Sequence, residues 1–210
     1  FARPTFLLGF FGILIAAHVW MRMIMDQAGL PPLDRSTTRW LEVSRLILQA
    51  SGYNALLAFG LQLGFLDRLR GVGQVRFSTV LFLGWIAVTV AVGLLFQQSL
   101  LLATFDKNLI RLDHWIRYSL AVPGGLISGY ALGRQARRLP AQQAPYARYL
   151  RLAAVLIVLY GAVGQIFVPR SPLFPATLLN DVLFQEVFNV PLEAVQTILP
   201  GPRSILSDVG

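Results

Sequence analysis

The chain has 210 residues, of which 55% are apolar and 13% charged, and its formal net charge is +8. A soluble domain devotes about a quarter of its residues to Asp, Glu, Lys and Arg, so these charges are too few for a water-facing surface, and most of the surface is expected to face lipid. The absence of cysteine excludes disulfides, thiolate metal sites and cysteine nucleophiles from these residues.

A helix needs about 20 apolar residues to cross a hydrocarbon core about 30 Å thick. Five stretches meet that requirement: 5–25, 40–66, 77–99, 115–133 and 149–168. The first is expected to span rather than to be cleaved, because no small-residue cleavage site follows it. The opening Phe1 suggests a start that is processed or lies upstream. Gly29-Leu30-Pro31-Pro32 closes the first stretch and Asp67-Arg68-Leu69-Arg70-Gly71 the second, while Arg134 to Pro145 forms a polar linker before the fifth. Residues 171–199 hold two short amphipathic helix candidates, each opened by a proline (Pro175, Pro191) and too short to span. The expected fold is all-α: a polytopic bundle of about five spanning helices over 1–170, then interfacial amphipathic helices and a tail over 171–210.

All but one of the 18 basic residues are Arg, mostly at the ends of apolar runs. They read as headgroup anchors and topology determinants, and no nucleic-acid partner is expected. Arg3, Arg68, Arg70, Arg76, Arg134, Arg137, Arg138, Arg148 and Arg151 fall on one side, where Asp67 is the only acid; the other nine acids fall opposite. Placing the acid-poor side in the cytoplasm gives a multi-pass protein of a bacterial inner membrane with its N-terminus inside. Trp20, Trp40 and Trp115 then share one outer interfacial belt.

Ionisable side chains inside a membrane are costly and mark functional sites by default. His18 and Arg22 share a face of the first helix, one turn apart. With Asp26, Glu42, Arg45 and Arg117 they outline an outward-facing polar pocket for an anionic or polar ligand. The bland counterpart is a set of snorkelling arginines and local ion pairs, such as Glu42 with Arg45. His18 and His114 are the only histidines. Two imidazoles from different helices would ligate a haem, and one would hold a chlorophyll magnesium; against that, Asp113-His114-Trp115 reads equally as an interface cap, and no cofactor is expected overall. Pro123-Gly124-Gly125 predicts a kink or hinge in the fourth span, or simply a close helix crossing. Gly60 and Gly64, with Gln49, Tyr53 and Asn54, predict helix contact along the second span, with Tyr160 and Gln165 as candidate partners. Phosphate loops, zinc spacings, carboxylate pairs and nucleophile elbows are absent from the sequence, so no enzyme is expected.

Three stretches together resemble the multi-helix N-terminal membrane sensor region of some bacterial sensor histidine kinases. They are Arg45-Leu-Ile-Leu-Gln-Ala-Ser-Gly-Tyr-Asn-Ala-Leu-Leu-Ala-Phe-Gly60, Arg117-Tyr-Ser-Leu-Ala-Val-Pro-Gly-Gly-Leu126, and Phe174-Pro-Ala-Thr-Leu-Leu-Asn180 continuing to Asn189-Val-Pro-Leu192. The resemblance implies a signal-input module ahead of a cytoplasmic kinase. The sequence departs from it after Leu192, where a returning helix is expected and Pro200-Gly201-Pro202 stands instead. Two functions therefore remain open: a membrane sensor or regulatory module, and an accessory structural subunit of a respiratory or photosynthetic complex contacting lipid, quinone, haem or pigment. Either implies membrane lipids as partners, together with other membrane subunits or further copies of the chain.

Overall fold

The computed structural model describes residues 2–25, 34–64, 74–95 and 105–166. The expected amphipathic helices of 171–199, and Asp26 of the expected pocket, lie outside them. The regular structure among the described residues is helical: α1 (Ala2–Met25), α2 (Arg35–Gly64), α3 (Gln74–Leu95), α4 (Phe105–Ile116), a π turn (Arg117–Ala121) leading into α5 (Val122–Arg138), and α6 (Ala144–Val158), a second π turn (Leu159–Val163) and α7 (Gly164–Ile166). Three helical stretches among them are long and apolar enough to cross a bilayer, namely Thr5–Met25, Ser36–Gly64 and Ala144–Ile166, which marks a membrane protein.

Helix α2 is the axis of the bundle. Every residue from Gly52 to Gly60 is buried, as expected of a helix enclosed all round. It is also the least apolar of the three, because it faces other helices rather than lipid and so accommodates Gln49 and Asn54. Helix α1 presents Leu7, Phe11, Ile15 and His18 to it at helical spacing and leaves Phe6, Phe10, Ile13 and Trp20 exposed.

Small residues set the distances between helices. A Cβ on Gly60 would lie 2.6 Å from the Ser128 backbone nitrogen, and one on Gly125 would lie 2.6 Å from the Gly161 carbonyl carbon. Ser128 Oγ also donates to the Leu56 carbonyl at 2.7 Å. The predicted close packing at Gly60 and at Gly124-Gly125 is therefore present. Arg134, expected in a polar linker, belongs to α5 and donates to the Gly64 carbonyl at 2.7 Å, satisfying an end of α2. The linker shrinks to Leu139–Gln143, where Gln143 N–H closes a turn on the Pro140 carbonyl at 2.9 Å.

Helix α3 is held differently, through polar side chains. Trp115 Nε1 donates to Thr89 Oγ1 at 2.9 Å, and Thr89 Oγ1 donates to the Trp85 carbonyl at 2.9 Å. Trp85 Nε1 donates to Ser119 Oγ at 2.8 Å, and Ser119 Oγ donates to the Trp115 carbonyl. These four bonds form a closed ring between α3 and the continuous segment of α4 and the π turn that follows it. Trp20 and Trp40 are exposed, whereas the half-buried Trp115 spends its indole N–H on Thr89.

Candidate functional site

The π turn at Arg117–Ala121 has a local cause. A proline at 123 lacks an N–H, and in a regular helix its ring would strike the carbonyl of residue 119. The wider turn relieves this: the Val122 N–H bonds to the Arg117 carbonyl, five residues back. The expected irregularity near Pro123 thus lies one turn earlier, over Arg117–Ala121. Gly124 and Gly125 themselves pack closely against Leu57 and Gly161, the close helix crossing that Pro123-Gly124-Gly125 also predicts.

Arg117 is the first residue of this turn, and only 8% of it is exposed. Its Nε donates to Asp113 Oδ2 at 2.8 Å and its Nη1 to Gln165 Oε1 at 3.2 Å. Gln165 lies just past the second π turn, and its Nε2 donates back to the Tyr160 carbonyl at 3.3 Å. One amide therefore serves both the arginine and a carbonyl of the widened turn. Across the bundle, Arg45 Nε donates to Glu42 Oε2 at 2.8 Å, and Arg45 Nη1 stands 4.0 Å from Asp113 Oδ1. That Oδ1 is buried and accepts no hydrogen bond.

The result is a quartet of two arginines and two carboxylates with no net charge, joining α2 to α4 and, through Gln165, to α7. A buried charge is tolerable only when paired and hydrogen-bonded, and the near-full burial of Arg117 depends on Asp113. His18 attaches α1: its Nδ1–H donates to the Arg45 carbonyl at 3.1 Å. A carbonyl can only accept, so in a neutral ring the lone pair is on Nε2. Tyr53 and Tyr160, hydrogen-bonded to each other, lie beside Arg117, and Phe11 packs on both with ring centroids 6.1 and 6.3 Å away.

Of the residues expected to form the pocket, His18, Glu42, Arg45 and Arg117 come together. Arg22 lies one turn beyond His18, half-buried and engaged in its own contact. The arginines meet carboxylates, and the Glu42 side chain is one-third exposed. His114 is 2% exposed, buried among the helices. No group of three or more His, Cys, Asp or Glu among the described residues could hold a metal ion.

Asp113 and Gln165 are members that the sequence-based pocket omits. Asp113 carried a usable signal, since Asp four residues before Arg on a helix is a favourable pair. Gln165 stood out only as a polar residue in an apolar run, with Gln49, Tyr53 and Asn54 as expected partners. Asn54 instead donates to Ser78 on α3 at 3.1 Å. Comparisons with protein-family models, curated proteins and solved structures return no match.

Proposed function

We propose that this chain is a non-catalytic membrane sensor or regulatory module of a bacterial inner membrane, crossing it five times with its N-terminus in the cytoplasm. The observation that carries the reading is the position of Arg45 between two carboxylates, bonded to Glu42 and 4.0 Å from the unused oxygen of Asp113. Transfer of Arg45 from Glu42 to Asp113 would exchange a bond within α2 for one between α2 and α4. Two alternative pairings of one half-buried cation make a bistable element, which any signal-input device requires. The two adjoining π turns supply the backbone irregularity that functional sites often retain. Two of the stretches that resemble histidine kinase sensor regions begin at Arg45 and Arg117, the two cations of the network.

Because the chain lacks cysteine, spin labels can be placed at Ile47→Cys and Val163→Cys, both exposed. In lipid nanodiscs, Glu42→Gln should favour the Arg45–Asp113 pairing and shorten the α2-to-π-turn distance. Asp113→Asn should favour Glu42 and lengthen it. One unchanged distance distribution in both variants would refute the switch. It would leave a rigid scaffold, the behaviour of an accessory subunit in a larger membrane complex.

A further inference from the structure

A second feature lies at the opposite end of the bundle from the charge network. Between α5 and α6 runs a laterally open groove of about 780 Å³. Its walls are apolar, with Leu126 and Tyr130 on one side and Val155 and Leu159 on the other, and Arg137 and Arg151 close one end. A second cavity of about 400 Å³, beneath the Leu139–Gln143 turn, shares these two arginines and adds Arg148. The groove exists because α5 offers glycine there: the helices touch where a Cβ on Gly129 would lie 2.3 Å from Val158, while a Cβ on Gly133 would meet nothing within 4 Å.

We infer that this groove holds an anionic phospholipid, with an acyl chain against the apolar walls and the phosphate among Arg137, Arg148 and Arg151. Three observations select that occupant. From Leu126 to Arg137 the helix rises about 16 Å at 1.5 Å per residue, the depth of one leaflet of a core about 30 Å thick. The cations therefore stand at headgroup level when the walls lie in the hydrocarbon. All three arginines are exposed and, among the described residues, none has a carboxylate or hydrogen-bond partner. Guanidinium groups engage phosphate through paired N–H donors, and basic pockets between transmembrane helices select acidic headgroups. With no acid in either lining, the ammonium of a zwitterionic headgroup has no counterpart.

Native mass spectrometry of the full chain, released from mild detergent after exposure to phosphatidylglycerol or phosphatidylcholine, tests the assignment. The wild type should retain phosphatidylglycerol in preference to phosphatidylcholine. Arg137→Gln with Arg151→Gln should weaken that retention about thirtyfold, the expectation for two arginines at a lipid surface. Gly133→Leu, which fills open space, should abolish retention with every arginine in place. Equal retention of the two lipids, full retention by either variant, or displacement of the lipid by inorganic phosphate would overturn the inference. So would a change from dimer to monomer in the variants without lipid loss, since the groove would then seat a second copy of the chain.

Discussion

Arg117 and Asp113 each make the other's burial affordable. Their side chains are 10% and 13% exposed and 2.8 Å apart. Removing one leaves an uncompensated ion, whereas removing both leaves apolar volume to fill. Arg117→Met is therefore expected to destabilise the folded bundle by about 3–5 kcal/mol, and Arg117→Met with Asp113→Leu to recover most of that loss. Thermal unfolding of the two single variants and the double variant in one detergent checks this. A double variant as unstable as the sum of the singles would show that the two side chains do not act as a pair. The pair was legible in the sequence from its four-residue spacing within one helix. Its contacts with Glu42–Arg45 and Gln165 were not, because they depend on how α2 and α7 are turned, and hydropathy patterning in an all-apolar environment does not fix rotation. For the same reason the bond from Trp115 to Thr89 was not legible: an indole near a helix end fits the same pattern whether its N–H meets a headgroup or a neighbouring helix.

The helices themselves were more legible than their relations, since each follows from length, apolarity and terminal chemistry. The start of α2 shows the last of these. Asp34 is its N-cap: its carboxylate accepts from Ser36 Oγ and from the Thr37 N–H at 3.2 Å, and its carbonyl accepts from the Thr38 N–H at 3.0 Å. The hydrogen bond from Ser36, then that from Thr37, holds the carboxyl below its ordinary pKa. Because the folded value is depressed, the cap is at full strength above the ordinary carboxylate range and is lost as pH falls through the lowered value. Exchange of the Thr37 amide, corrected for the intrinsic rate, should thus be slowed near neutrality and released only in acid. Asp34→Asn should keep the protection through that range, and Asp34→Ala should lack it at every pH. Protection that persists in Asp34→Ala would locate the restraint elsewhere. The ends read less well where packing takes over from local signals. Arg134 looks like a linker residue by charge, yet α5 continues to Arg138 because that guanidinium satisfies a carbonyl of α2. At Pro123 the local rule predicted a kink or hinge, or a close helix crossing; the chain widens a turn upstream and uses the following glycines to seat α2 and the second π turn.

At the level of the whole chain, residue pairs give the direction of each helix. His18 meets Arg45, Arg117 meets Gln165, and Ser119 meets Trp85, whereas Gly64 meets Arg134. Helix α2 and the α4–α5 strut therefore run the same way, with α1, α3 and α6–α7 running opposite. This alternation collects the charge network at one end and Arg137, Arg148 and Arg151 at the other. That segregation sets the acid-poor end apart from the charge network, and it converts the five-span reading into a test at four positions. Single substitutions Thr37→Cys, Arg76→Cys, Gln98→Cys and Gln142→Cys in a chain without native cysteine should divide into two classes towards a membrane-impermeant maleimide applied to intact cells. Positions 37 and 98 should react at once, and positions 76 and 142 only after the membrane is permeabilised. The informative pair is 76, in the first turn of α3, and 98, three residues past its last described residue in sequence. That helix is fixed to the bundle by a ring of side-chain hydrogen bonds rather than by glycine-tight packing, and its exposed Val80, Leu83, Ile86, Val88 and Val90 need lipid or a partner to cover them. If 76 and 98 label together, α3 does not cross, and the chain traverses the bilayer fewer than five times.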